Sequence, residues 1–138
     1  MNVFEVVNNT ITAQCGVKVP MLAREAEQNN LSGFEFMIGF PGSVGGAVYM
    51  NASAHSQAIS DTFKVGRVFD TESKKVVELN KDEMKFGYRS SILQEGRYIL
   101  LDAKFELLPV NKEEISSIMN RNLEFRKNFR ASLLGCIS

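Results

Sequence analysis

Asp61-Thr62-Phe63-Lys64-Val65-Gly66-Arg67-Val68-Phe69-Asp70, then Thr71-Glu72-Ser73-Lys74, then Val76-Val77-Glu78-Leu79 reads as a strand, a turn and a returning strand. Phe63, Val65, Val68 and Phe69 supply the apolar, largely β-branched or aromatic positions, and the polar tetrapeptide between the runs has the chemistry that joins antiparallel neighbours. The same style recurs at the N-terminus, where Asn2 to Val7 and Thr10 to Cys15 flank Asn8-Asn9, a dipeptide that tolerates the positive φ of a tight hairpin. Arg97 to Leu108 predicts a long strand that changes face partway (Tyr98 and Leu100, then Ala103, Phe105 and Leu107) and that Pro109 stops. Pro20 opens an amphipathic helix with Met21, Leu22, Ala23 and Ala26 on its apolar side, ended by Asn29-Asn30; that side should lie on a sheet. Asn80 can cap a short helix from Lys81, with Glu83 at the capping-box spacing, which delivers Phe86 to Ser91 into a loop. A last helix is predicted over Glu113 to Phe129, with Ile115, Ile118, Met119, Leu123 and Phe125 on or near one face. Strands outnumber helices and hairpin joins dominate. The expected fold class is therefore α+β, a mainly antiparallel sheet flanked by helices.

The chain has 138 residues, 44% of them apolar, with 16 basic against 16 acidic side chains. That is one domain's worth of sequence, large enough to bury a core. Balanced charge gives no long-range pull on polyanions, so neither nucleic acid nor an anionic membrane is an expected partner. Arg121, Arg126, Lys127 and Arg130 crowd toward the C-terminal half of the last helix, where they complement the helix dipole on a solvated face. Polar residues interrupt every apolar run well short of the ~20 residues that span a bilayer, and the start lacks a signal peptide's pattern, so the expected compartment is the cytoplasm. Cys15 and Cys136 sit outside any CxxC spacing and His55 is the single histidine, so no metal site is expected.

Leu31 to Met50 departs from this style, with glycines crowding an apolar stretch whose one carboxylate is Glu35. Gly39-Phe40-Pro41-Gly42-Ser43-Val44-Gly45-Gly46-Ala47 places four glycines and a proline in a turn that runs on to Asn51-Ala52. Missing β-carbons let backbone approach a ligand, and successive free N–H groups can cradle phosphate oxygens or the polar edge of a planar cofactor, with the Ser43 hydroxyl as a further donor. The same residues also suit a tight turn with close helix packing and no ligand. The order is neither that of a P-loop nor that of a GxGxxG dinucleotide turn.

Leu31-Ser32-Gly33-Phe34-Glu35-Phe36, the glycine loop and Met50-Asn51-Ala52 together resemble the middle of MurB-type UDP-N-acetylenolpyruvoylglucosamine reductases. Phe86-Gly87-Tyr88-Arg89-Ser90-Ser91 is similar to the same family's FGYRxS motif, at a fitting distance downstream. These are FAD enzymes of peptidoglycan precursor synthesis, related to the vanillyl-alcohol-oxidase type in having a two-part FAD-binding domain. The resemblance implies that NADPH reduces FAD, that hydride passes to the enolpyruvyl double bond of the UDP-sugar substrate, and that Arg89 offers its guanidinium to the carboxylate that becomes enolate-like. Tyr88 would line the substrate side. Flavin contacts carry over onto Pro41, Gly42, Ser43, Gly45, Gly46, Asn51, Ala52 and Ala54. Without the resemblance, Arg89 reads as a surface or ion-paired arginine.

The resemblance runs to about Lys127. It implies that residues 1–130 are the second lobe of the FAD-binding domain and 131–138 a divergent C-terminal tail. Family members carry a first FAD lobe before this stretch and, after it, a substrate domain with a proton-donating serine that has no counterpart here. The chain alone is therefore expected to fold, to be catalytically silent, to bind FAD weakly or not at all, and to self-associate through an apolar patch. A shortened, non-catalytic paralogue acting as an interaction module is the alternative, and an oxidase of the wider superfamily a third reading. Where the family shows Asn-Ala-Gly-Ala-Tyr-Gly, this chain has Asn51-Ala52-Ser53-Ala54-His55-Ser56. If the replaced glycine has positive φ, Ser53 carries roughly 1–2 kcal/mol of strain or redirects the loop. His55, in the tyrosine's place, stacks or donates at the site, or is a half-exposed loop histidine.

Overall fold

A computed structural model describes the backbone of residues 3–137 and the side chains of 3–124. Asn2, at the start of the first expected strand, and the side chains of Phe125, Arg126, Lys127, Arg130 and Cys136 lie outside the described residues.

The two hairpins read from the sequence form the two flanks of one five-stranded antiparallel sheet. Strands β1 (Phe4–Val7) and β2 (Thr10–Gln14) make the first, with Asn8 at φ +53° in the turn. The second consists of β6 (Phe63–Asp70) and β7 (Lys75–Asn80), and β8 (Tyr98–Glu106) lies between the hairpins in the order β1-β2-β8-β6-β7. The change of face within β8 has a local cause. Arg67 pairs with Asp102 and Val68 with Leu100, so Leu101 has no partner on β6, and the register slip turns Leu100, Ala103 and Phe105 alike into the core. Pro109 does not simply stop this strand. After Leu107 the chain forms β9 (Leu108–Pro109), which pairs with β3 (Leu31–Ser32) in a two-residue edge ladder that tolerates proline.

Helix α1 (Val19–Gln28) begins with proline in its first turn and closes at Asn29, followed by Asn30 at φ +57°. It packs on β3, on the 3₁₀ turn Glu35–Met37 and on α3 (Lys112–Ile137). Ser116 Oγ donates to the buried Glu27 carboxylate at 2.7 Å and Asn122 Nδ2 to the Glu35 carbonyl at 3.0 Å, which fix α3 across this layer. Ile115 and Met119 supply its buried face. The helix runs eight residues past its expected end at Phe129, because Ala131, Leu133 and Leu134 are good helix formers and no proline intervenes. The backbone thus shows no break at residue 130.

The short helix expected after Asn80 is a correction. Its capping box forms, with the Glu83 N–H donating to Asn80 Oδ1 at 2.9 Å and the Asn80 N–H donating to Glu83 Oε1 at 3.0 Å, but only turns follow. Lys85 takes φ +51°, which ends helical propagation after one turn. None of the described helices is long and apolar enough to cross a membrane.

At the far end of the second hairpin Arg97 grips Asp70 with Nε at 3.0 Å and a terminal guanidinium nitrogen at 2.9 Å, while Asp70 also accepts the Glu72 N–H. The Arg97 hydrogen bonds, more than the local backbone donors, hold the Asp70 carboxyl well below the usual carboxylate range, against the burial that would raise it. A carboxyl depressed in the folded state contributes stability that is complete above the unfolded pKa of about 3.9 and is lost as the pH falls below it. Urea unfolding at pH 7 and pH 3 should therefore show a steeper acid loss for the wild type than for Asp70→Asn. Equal losses would remove Asp70 from the acid sensitivity.

Candidate functional site

The apolar segment after the glycine loop is a helix, α2 (Val44–Tyr49), capped at its start by Ser43, whose Oγ accepts the Gly46 N–H at 3.4 Å. Its end is a Schellman closure: the Asn51 N–H donates to the Val48 carbonyl at 3.1 Å and the Ala52 N–H to the Ala47 carbonyl at 2.8 Å, with Asn51 at φ +45°. The expected cradle of successive free N–H groups is narrower than the sequence suggests. The Val44 N–H donates to Val17 at 2.8 Å, the Gly45 N–H to Cys15 at 2.9 Å, and Gly46 to the Ser43 cap, so the helix start is consumed by the β2–α1 connection. Among the described loop residues Gly39, Gly42 and Ser43 keep N–H groups without an acceptor, and the last two line the cavity described below.

Two adjacent glycines do different work. A β-carbon on Gly45 would lie 3.2 Å from Cys15 Cβ and 3.3 Å from the Cys15 carbonyl oxygen, so this glycine lets α2 close on the end of β2. A β-carbon on Gly46 would meet only Ser43 Oγ, at 3.7 Å, and the residue faces a cavity of about 320 Å³. Phe40, Pro41, Gly42 and Ser43 line one side of that cavity, Ala47, Met50, Ala52 and Ser53 continue the wall, and Arg89 closes it.

Arg89 arrives on a two-residue turn. Gly87 and Ser90 exchange backbone hydrogen bonds of 3.1 and 3.2 Å, leaving Tyr88 and Arg89 at the tip, with Arg89 at φ +50°. An L-residue there is strained by roughly 1–2 kcal/mol, a cost that persists where surrounding contacts impose it. Phe86 anchors the turn from below, edge-on to Phe63 at 5.1 Å between ring centroids. The Asn51 side chain donates to the Gly87 carbonyl at 2.8 Å and accepts the Ser60 N–H at 3.2 Å, Ser91 Oγ donates to the Tyr49 carbonyl at 2.8 Å, and Gln94 Nε2 donates to the Arg89 carbonyl at 2.9 Å. Arg89 Nε points to the Tyr88 hydroxyl at 3.3 Å, and Tyr88 is 85% exposed.

Pro41, Gly42, Ser43, Gly46, Ala52 and Arg89 are thus brought to one cavity, and Tyr88 stands beside it. Gly45, Asn51 and Ala54 lie outside that lining. Gly45 borders a separate, more open hollow with Cys15 and Tyr98, Asn51 is buried as a strut, and Ala54 sits in the small hairpin of β4 (Ser53–Ala54) and β5 (Gln57–Ala58). The strain expected at Ser53 is not there, since that residue is extended in β4. It falls instead on His55 and Ser56, at φ +52° and +64°, as in a type I′ turn. His55 borders a different hollow, beside Arg121 and Glu124. Sequence reading missed Gln94, Ser91 and the strut role of Asn51. An asparagine just past an apolar run does signal a left-handed helix end, whereas nothing around Gln94 marks it.

The donor set suits part of a flavin dinucleotide. There is a Cβ-free wall at Gly46, two unused N–H groups and a hydroxyl in the Gly42-Ser43 lining, an arginine in the same lining, and a volume near the small end of ligand sites, enough for one portion of such a molecule.

An antiparallel α+β lobe with a glycine-walled, arginine-closed cavity is the architecture of a flavin-binding module. The FAD binding domain family matches residues 1–80, and the chain belongs to that family. It is similar to the UDP-N-acetylenolpyruvoylglucosamine reductase of Caldicellulosiruptor saccharolyticus, 43% identical over 122 residues that cover 88% of this chain and 39% of that protein. The Staphylococcus carnosus reductase is 41% identical over 120 residues, 87% of this chain and 39% of its own length. The crystal structure of UDP-N-acetylenolpyruvylglucosamine reductase (MurB) from Thermus caldophilus superposes with a TM-score of 0.77 at 34% identity, over 84% of this chain and 42% of that one. The resemblance to MurB-type reductases holds, and the chain spans about two fifths of the length of these relatives.

Proposed function

We propose that residues 1–130 are the second lobe of the FAD-binding domain of a reductase that converts UDP-N-acetylglucosamine enolpyruvate to UDP-N-acetylmuramate with NADPH, and that 131–138 are a divergent C-terminal tail. The observation that carries this reading is that the strained Arg89 and the Cβ-free Gly46 line one cavity. Bound FAD would supply the hydride chemistry between NADPH and the enolpyruvyl double bond. Gly46 and Ala47 would let the cofactor lie against α2, and the Gly42 and Ser43 N–H groups with the Ser43 hydroxyl would donate to its polar edge or phosphates. Arg89 would hold the substrate carboxylate with a planar, permanently charged fork, which favours the transition state as negative charge builds on the adjoining carbon. Tyr88 would line the substrate side. The carboxylate would orient the enolpyruvyl group over the cavity, so binding and charge stabilisation come from one side chain.

On this reading the isolated chain holds half a cofactor site. Several phosphate contacts worth about 1.5–3 kcal/mol each are missing, so FAD affinity should fall by several powers of ten relative to the complete enzyme. The purified 138-residue protein is expected to be folded by circular dichroism, colourless in the flavin band, self-associating in light scattering, and silent toward NADPH with or without the enolpyruvyl substrate. A yellow monomer that oxidises NADPH when that substrate is added would overturn this division of the site. Failure to gain FAD binding even with the remaining segments of a relative supplied would favour the non-catalytic interaction module, a reading supported by the His55-Ser56 departure.

A further inference from the structure

We propose that Gln94 is a positioning residue for Arg89: its carboxamide pins the arginine turn to the C-terminal end of α2 and so fixes where Arg89 borders the cavity. The inference rests on the reading of Arg89 given above. Gln94 is itself exposed and absent from the cavity lining, so it acts only through its neighbours.

The geometry is specific to a primary amide. Nε2 lies 2.9 Å from the Arg89 carbonyl and 3.2 Å from the Tyr49 carbonyl, with Met50 Sδ at 3.7 Å. One nitrogen bearing two hydrogens can serve both carbonyls at once, and the flipped amide would set an oxygen against two carbonyl oxygens. The Tyr49 carbonyl belongs to the last turn of α2, where helix carbonyls have no internal partner, and it also accepts from Ser91 Oγ at 2.8 Å. The Arg89 carbonyl belongs to a residue at φ +50°, a backbone state that an arginine does not adopt unaided. Among the described residues Gln94 is the side chain that holds that carbonyl. Asn51 holds the other end of the same turn, through the Gly87 carbonyl at 2.8 Å. The helix that presents Gly46 and the turn that presents Arg89 are therefore joined through Asn51, Ser91 and Gln94, of which Gln94 alone reaches the Arg89 carbonyl among the described residues.

The test uses Gln94→Glu, which keeps the shape and removes both N–H donors, beside Arg89→Lys. In the 138-residue protein, the backbone amide resonances of Gly87, Arg89 and Ser90 should move at pH 7 while those of the β1–β2 hairpin stay in place. They should return toward wild type as the pH falls toward the carboxyl pKa of about 4.3 and one donor is restored. In the FAD-loaded holoenzyme containing this lobe, the same variant should slow the substrate half-reaction by up to about 10²-fold, with partial recovery at lower pH and no change in the NADPH half-reaction. Unmoved Arg89 resonances would overturn the proposal whatever the kinetics. Moved resonances with an unchanged substrate half-reaction would overturn it as well. In that case a slow Arg89→Lys locates the error in Gln94, and a silent Arg89→Lys locates it in the reading of Arg89.

Discussion

Arg89→Lys, in a holoenzyme that contains this lobe, is expected to slow reduction of the enolpyruvyl substrate by about 10²–10³-fold while NADPH oxidation keeps its rate. Lysine preserves the charge but replaces a planar fork by a single point of donation, so the two carboxylate oxygens are no longer held together. Backbone strain gives an independent handle. Arg89 stands at φ +50°, which glycine adopts freely, so Arg89→Gly should raise the stability of the chain by about 1 kcal/mol in urea unfolding while abolishing the same half-reaction. A gain in stability coupled to a loss of chemistry is the behaviour of strain kept for a function. Stopped-flow separation of the two half-reactions decides the matter, and a lysine variant slowed only with NADPH would sink the assignment.

The second large effect separates two neighbouring glycines. Gly46→Val should fold like the wild type, because a β-carbon there meets only Ser43 Oγ at 3.7 Å, yet it should weaken FAD by at least about 10–100-fold where the other segments complete the site. Gly45→Val should instead destabilise the fold by about 1–3 kcal/mol, since its side chain would press on Cys15 at 3.2 Å. Flavin fluorescence titration and urea unfolding on both variants give a crossed pattern. Equal FAD affinity for wild type and Gly46→Val would take the loop out of the site.

Local chemistry was legible wherever a residue and its nearest neighbours settle the outcome. Asn8 and Asn30 take left-handed backbone where an asparagine was expected to permit a turn or a helix end, and the Asn80–Glu83 capping box forms as its spacing predicts. The α+β class follows from the same level, because strand periodicity and turn residues are short-range signals. Propagation was less legible. The helix after Asn80 fails although its cap is intact, because Lys85 turns left-handed, and α3 continues past Phe129 on the helix propensity of the residues that follow.

The sequence by itself determined the hairpins, the end of α1 and the FAD-binding family resemblance, and it singled out a glycine loop and an arginine motif as candidate parts of a site. Only the tertiary structure decided which residues of those parts line one cavity. Gly45 and Gly46 are chemically identical and adjacent, and they differ because Cys15, in the turn just after β2 and far upstream, stands against one and not the other. Asn51 becomes a strut because the Gly87 carbonyl comes within reach of its amide, and Gln94 joins the arginine turn because the end of α2 is folded beside it. Such roles depend on distances between segments remote in the chain, which residue type and spacing do not encode, and which are set when the sheet and helices pack into a common core.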